Sequence, residues 1–145
     1  MGEITDHFIS LFYSTKIQQR LSAGLFLKEL QSQMNLIENG KKFDAIRIYS
    51  THDVVMAGIL KSLGSYNELQ PPYGSTIIFE FWSKQKQKKD YVQLYYLNET
   101  TTEIPYLLHV GGCGNDEFCS FENFKNNIEK LIPHDLENEC SQRVL

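Results

Sequence analysis

The chain has 145 residues, 41% hydrophobic and 12% aromatic, with a formal net charge of −4. That length makes one domain able to bury about two-thirds of its unfolded surface, and the apolar content excludes a disordered chain. The mild acidic balance speaks against a basic nucleic-acid face, and no apolar run approaches the roughly 20 residues of a membrane span.

The N-terminal "MGEITDHFISLFYST" holds an apolar patch at Phe8 to Tyr13. It is too short for the core of an export leader, and Glu3 and Asp6 stand where a leader carries lysines, so no leader is expected. Asp6 also occupies the Ser/Thr position of a myristoylation motif. "LSAGLFLKELQSQMNLIENG" (21–40) predicts a helix with Ser22 as N-cap and Gly40 as stop. Phe26, Leu30, Met34 and Ile37 form its apolar stripe, with Leu27 at the edge and Lys28, Ser32 and Asn35 opposite.

"FDAIRIYS" (43–50) is short, β-branched and aromatic. Ala45, Ile46, Ile48 and Tyr49 predict a strand buried on both faces, interrupted by Arg47. "DVVMAGILKSLG" (53–64) predicts a second helix, with Val55, Ile59 and Leu63 in register and Gly64 as stop. Helix, strand and helix in succession predict an α/β layer with a central parallel strand. "ELQPPYGS" (68–75) is a turn-rich loop in which Pro71 and Pro72 fix φ. "STIIFEFW" and "YVQLYYLN" alternate as two strands of an antiparallel hairpin near the sheet edge, joined by "SKQKQKKD", a solvated charged connection.

Cys113 and Cys119 lie in "GGCGNDEFCS". Their spacing allows free buried thiols or a local disulfide; zinc is disfavoured without a second cysteine pair or paired histidines. Cys140 is left over. "SFENFKNNIEKLIP" (120–133) predicts an amphipathic helix with its cap near Ser120, a stripe of Phe121, Phe124, Ile128 and Leu131, and an end at Pro133. Asn98-Glu99-Thr100 is a glycosylation sequon.

His52 and Asp53 stand where the predicted strand ends and the next helix begins. Ligands of open α/β sheets bind outside the carboxyl ends of strands, and a helix N-terminus welcomes an anion. A histidine N–H adds to that attraction. Asp53 beside an anion is reasonable if it carries a proton, and a protonated carboxyl near a departing oxygen is a general acid. On these two residues alone the plainer alternative also stands, with Asp53 a helix cap and His52 a turn histidine.

A wider set of motifs adds to this. "RLSAGLFLKEL", "YSTHD", "LGSYNELQPPYGS", "YVQLYYLNET" and "GGC…C…F…LIPHDLENEC" follow one another in an order that resembles the histidine acid phosphatases, from about Arg20 to Cys140. The resemblance implies a partial three-layer α/β/α fold of the histidine phosphatase type, with residues 1–145 as the C-terminal part of a single domain. It implies metal-free hydrolysis of phosphomonoesters, no cofactor, and a phosphorylated histidine from an upstream Arg-His-Gly motif. His52 matches the second, phosphate-binding histidine, and Asp53 matches the proton donor. Cys113 and Cys119 match a local disulfide, Asn98 a glycosylated site, and Cys140 a cysteine whose partner lies upstream. A full-length member is secreted or lysosomal.

One departure shapes the rest. No Arg-His-Gly occurs in the 145 residues, and His7, His109 and His134 lack its neighbours. Arg47 lies too far before His52 to replace the missing arginines. The expectation is half of a catalytic site, inactive alone. The alternative is a binding module that keeps the fold, partnered by a second copy or by the missing N-terminal segment, and whose stripe around Phe26 and Met34 is left partly uncovered.

Overall fold

The computed structural model describes residues 2–84, 89–99, 101–114 and 116–141. Five helices are seen among them: α1 (Gly2–Phe12), α2 (Lys16–Glu38), α3 (Asp53–Ser62), α4 (Phe121–Ile128) and α5 (Leu136–Ser141). Four strands accompany them: β1 (Thr76–Lys84), β2 (Lys89–Leu97), β3 (Tyr106–Leu108) and β4 (Cys119–Ser120). Mixed helices and a small antiparallel sheet make up the described part of an α/β fold.

α2 begins earlier than its apolar stripe predicts. Thr15, not Ser22, is the N-cap: its hydroxyl accepts the Gln18 N–H, and the Gln18 side chain accepts the Thr15 N–H at 2.9 Å. This reciprocal capping box satisfies two N–H groups left free by the first turn. Ser22 lies inside the helix, its hydroxyl donating to the Gln19 carbonyl. The stripe is centred on Leu27, which is fully buried with Ala23, Leu30 and Met34, while Lys28, Ser32 and Asn35 are exposed. Of the stripe expected to be partly uncovered, Met34 is enclosed, whereas Phe26 is half-buried against the core.

The hairpin forms as its alternation predicts. β1 and β2 pair antiparallel from Thr76↔Leu97 to Lys84↔Lys89. Ile77, Phe79 and Phe81 face the same way as Tyr96, Leu94 and Val92, and this face meets α2 and α4. β3 and β4 both pair antiparallel with β2. Half of the charged connection, residues 85–88, lies outside the described residues. Ser120 caps α4 by accepting the Asn123 N–H, and Phe121, Phe124, Ile128 and Leu131 are buried as a continuous stripe. Cys113 and Cys119 form a disulfide that fastens the preceding turn to β4, which leaves neither thiol free for a metal. Cys140 is free and exposed on α5.

The central parallel strand is the main correction. Residues 43–50 form no strand, and Ile46 and Ile48 are 79% and 90% exposed. A strand apolar on both faces holds its place only when neighbours pair its backbone and cover its side chains. No described strand pairs with it. Arg47 is instead drawn to α2 through Glu29, and to Asp44 at 2.9 Å. Val55, expected in the α3 core stripe, is exposed, whereas Ile59 and Leu63 are buried.

Candidate functional site

α3 is set in place by its buried side. Ala57, Ile59 and Leu60 are enclosed, and Tyr13, just beyond α1, closes over Gly58. A Cβ on Gly58 would stand 3.0 Å from the Tyr13 ring, so the missing side chain permits this approach. Ile9, Tyr13 and Ala57 make a small second core, against which Tyr66 packs. The N-terminus of α3 is thereby fixed while its first turn stays open to solvent.

His52 is the N-cap residue, with extended backbone (φ −107°, ψ 157°) and no side-chain capping bond. Its carbonyl accepts the N–H groups of Val55 and Met56, both at 3.1 Å, and its ring is exposed. Asp53 is the first helical residue and half-buried. Its Oδ1 accepts the Val54 N–H at 2.8 Å, and its Oδ2 accepts the Gln70 Nε2–H at 2.6 Å. A carboxylate here is favoured by the positive end of the helix dipole. On the plainer alternative Asp53 is the cap and His52 a turn histidine; in the structure His52 takes the cap position with an exposed imidazole that makes no capping bond, and Asp53 is the residue after it. Asp53 has a local bond of the capping kind and also a distant one.

The surroundings are polar and aromatic. Burial, and then the Asp53 charge, raise the Tyr13 phenol above its ordinary value. Tyr66 is pushed up to about 12, first by burial and then by the charges of Glu68 and Asp6. Its hydroxyl is buried without a hydrogen-bond partner. Two hollows lie elsewhere. One, of about 410 Å³, is lined by Glu3, Asp6, His7, Ser10 and Glu68. The other, of about 240 Å³, lies towards the opposite end of α3 and includes Lys61, Gly111 and Asn127. Neither is lined by His52 or Asp53, which stand on open surface.

Asn98 is half-exposed just past β2, and Thr100 of its sequon lies outside the described residues. No group of three or more metal-ligating side chains is found among the described residues. No described helix is long and apolar enough to cross a membrane. Arg47 is held by acidic partners on its own segment and on α2. The residues that sequence reasoning missed are Gln70 and Tyr13. Gln70 is marked only as the residue before a Pro-Pro pair, and Tyr13 only as the end of an apolar patch.

The family model for the histidine phosphatase superfamily (branch 2) matches residues 9–97, which include both His52 and Asp53. The chain is 34% identical over 128 residues to prostatic acid phosphatase of Rattus norvegicus, covering 88% of this chain and 32% of that protein. It is 27% identical over 140 residues to human lysosomal acid phosphatase, covering 97% of this chain and 32% of the relative. The chain thus spans about a third of the length of the curated relatives it matches.

Proposed function

We propose that this chain, which belongs to the histidine phosphatase superfamily (branch 2), supplies the phosphate-binding and proton-donating half of an acid phosphatase site. Acid phosphatase activity characterises the relatives by name. The observation that carries the reading here is the pairing of an uncapped, exposed His52 with a half-buried Asp53 at the first turn of α3.

In this reading an ester's phosphoryl oxygens settle against the His52 N–H and the positive end of α3. A histidine nitrogen supplied from outside these 145 residues attacks phosphorus. The P–N bond forms as the bond to the ester oxygen breaks. Asp53 Oδ2 gives its proton to that oxygen, and the alcohol departs. Water then cleaves the P–N bond and releases phosphate, with Asp53 as the base that recovers a proton. General acid catalysis of this kind contributes roughly 10²–10⁴ in rate. A full-length member is read as secreted or lysosomal, with Asn98 glycosylated.

The isolated chain is expected to show no turnover, because without the nucleophile the covalent route is closed. Purified chain incubated with a nitrophenyl phosphate tests this. Turnover abolished by His52→Ala would overturn the half-site reading.

A second reading is favoured by one specific observation. Ile4, Phe8, Leu11 and Phe12 are exposed along α1, and Ile46 and Ile48 before α3. An exposed apolar face such as that along α1, where Phe8 and Phe12 touch, marks a partner site, as a non-catalytic interaction module or a homodimer would need. Sedimentation velocity separates these cases: a concentration-independent monomer contradicts the homodimer.

A further inference from the structure

Between α3 and the Pro71-Pro72 turn the backbone does something costly. Glu68 has φ 64°, the left-handed region, and is the only described non-glycine residue there. Such a conformation is unfavourable for a residue with a Cβ and persists where its surroundings impose it. The surroundings are visible. The Glu68 carboxylate accepts from the Ser10 hydroxyl of α1 and from the Lys61 ammonium of α3. Asn67 Oδ1 accepts the Leu69 N–H at 3.2 Å, and Asp6 Oδ1 accepts the Gln70 N–H at 2.6 Å. This reversal turns the Gln70 side chain back to the start of α3, where it meets Asp53 Oδ2.

We propose that Gln70 is a positioning residue for Asp53, and that the strained turn at Glu68 exists to deliver it. The proposal rests on the reading of Asp53 as proton donor. A carboxyl that gives up a proton and recovers it must change one oxygen from donor to acceptor. Both oxygens accept an N–H in the structure, Oδ1 from the Val54 backbone, which is fixed, and Oδ2 from the Gln70 side chain, whose amide can turn; Oδ2 is therefore the oxygen able to exchange its acceptor role for a proton. An amide suits both states, because it holds a donor and an acceptor on one planar group. With the proton on Oδ2, the amide oxygen of Gln70 accepts it until a leaving-group oxygen arrives. When the O–H bond to Oδ2 breaks and a new one forms on that oxygen, Gln70 Nε2–H meets the charge left behind. Leucine could fill the same space but would leave Oδ2 without a donor.

The test is nuclear magnetic resonance of the full 145-residue chain, titrated between about pH 3 and pH 7, where carboxylates ionise. The titratable and charged groups near the contact are His52, Tyr13, Asp6, Glu68, Lys61 and Tyr66. Two reporters on one residue separate them. The Gln70 side-chain amide is expected to follow Asp53, so its inflection disappears in Asp53→Asn and survives Asp6→Asn. The Gln70 backbone amide is expected to do the reverse. A side-chain signal flat across the range, or one that keeps its inflection in Asp53→Asn, overturns the proposal. A readout that needs no variant is the nuclear Overhauser contact from the Gln70 Nε2 protons to Asp53 and Val54; its absence overturns the proposal as well. Neither measurement depends on turnover, so the contact can fail while Asp53 remains the proton donor, and the reverse.

Discussion

Ile48→Ser is a sharp perturbation because two pictures of the same segment predict different energies. In the structure Ile48 is 90% exposed. The covered tenth of its surface, on the order of 20 Å², is worth about 0.5 kcal/mol at about 25 cal/mol per Å². In a strand buried on both faces, the same change would remove a full side-chain transfer term and leave a cavity, together about 3–5 kcal/mol. Leu27→Ala is the internal standard. Leu27 is completely enclosed, and truncation there is expected to cost about 2–5 kcal/mol. Urea unfolding followed by circular dichroism reads both. With a slope of about 2 kcal/mol/M, Ile48→Ser moves the midpoint by about 0.25 M and Leu27→Ala by 1 M or more. An Ile48→Ser loss comparable to that of Leu27→Ala would refute the exposed, unpaired description of residues 43–50.

Two further predictions concern how the elements are held together. A Cβ on Gly24 would lie 2.3 Å from the Leu131 carbonyl oxygen and 2.6 Å from Pro133 Cδ. Gly24→Ala is therefore expected to destabilise by about 1–3 kcal/mol despite alanine's better helix propensity, measured by the same unfolding; a stabilised variant would contradict this packing. Arg20 grips Glu139 with two hydrogen bonds, of 2.5 and 2.8 Å, and holds that carboxyl down to about 2. A folded-state value below the unfolded one gives stability that is complete above the ordinary carboxylate range and is lost as pH falls towards 2. Thermal midpoints at about pH 5 and about pH 3 should therefore differ less in Glu139→Gln than in the natural chain; equal acid sensitivity would show that the pair contributes nothing.

The parts legible in the sequence are those whose neighbours lie within the chain. Phe121, Phe124, Ile128 and Leu131 are buried as their spacing predicts, and the β1–β2 hairpin needs only its own two strands. α3 starts where "HD" precedes an apolar run, because a helix N-terminus is written locally. The failures have the opposite cause. "FDAIRIYS" reads as a buried strand since composition records preference, not whether a partner is present. Val55 sits in the helical register of Ile59 and Leu63 but faces solvent in the turn next to that unpaired segment. Thr15 is not marked as a cap in the sequence because the stripe that signals α2 begins at Phe26, about three turns later. Gln70 reaches Asp53 across 17 residues through a left-handed Glu68, and no residue-type pattern announces such a turn.

The most direct measurement of the central claim needs the two-thirds of the fold that the relatives have beyond this match. A chimera joining that part of the rat prostatic enzyme to this chain is assayed on an alkyl phosphate and on a nitrophenyl phosphate. If Asp53 protonates the leaving group, Asp53→Asn lowers kcat roughly 10²–10⁴-fold on the alkyl ester and much less on the nitrophenyl ester, whose leaving oxygen needs little protonation. Equal losses on both esters, or no loss on either, would contradict the account.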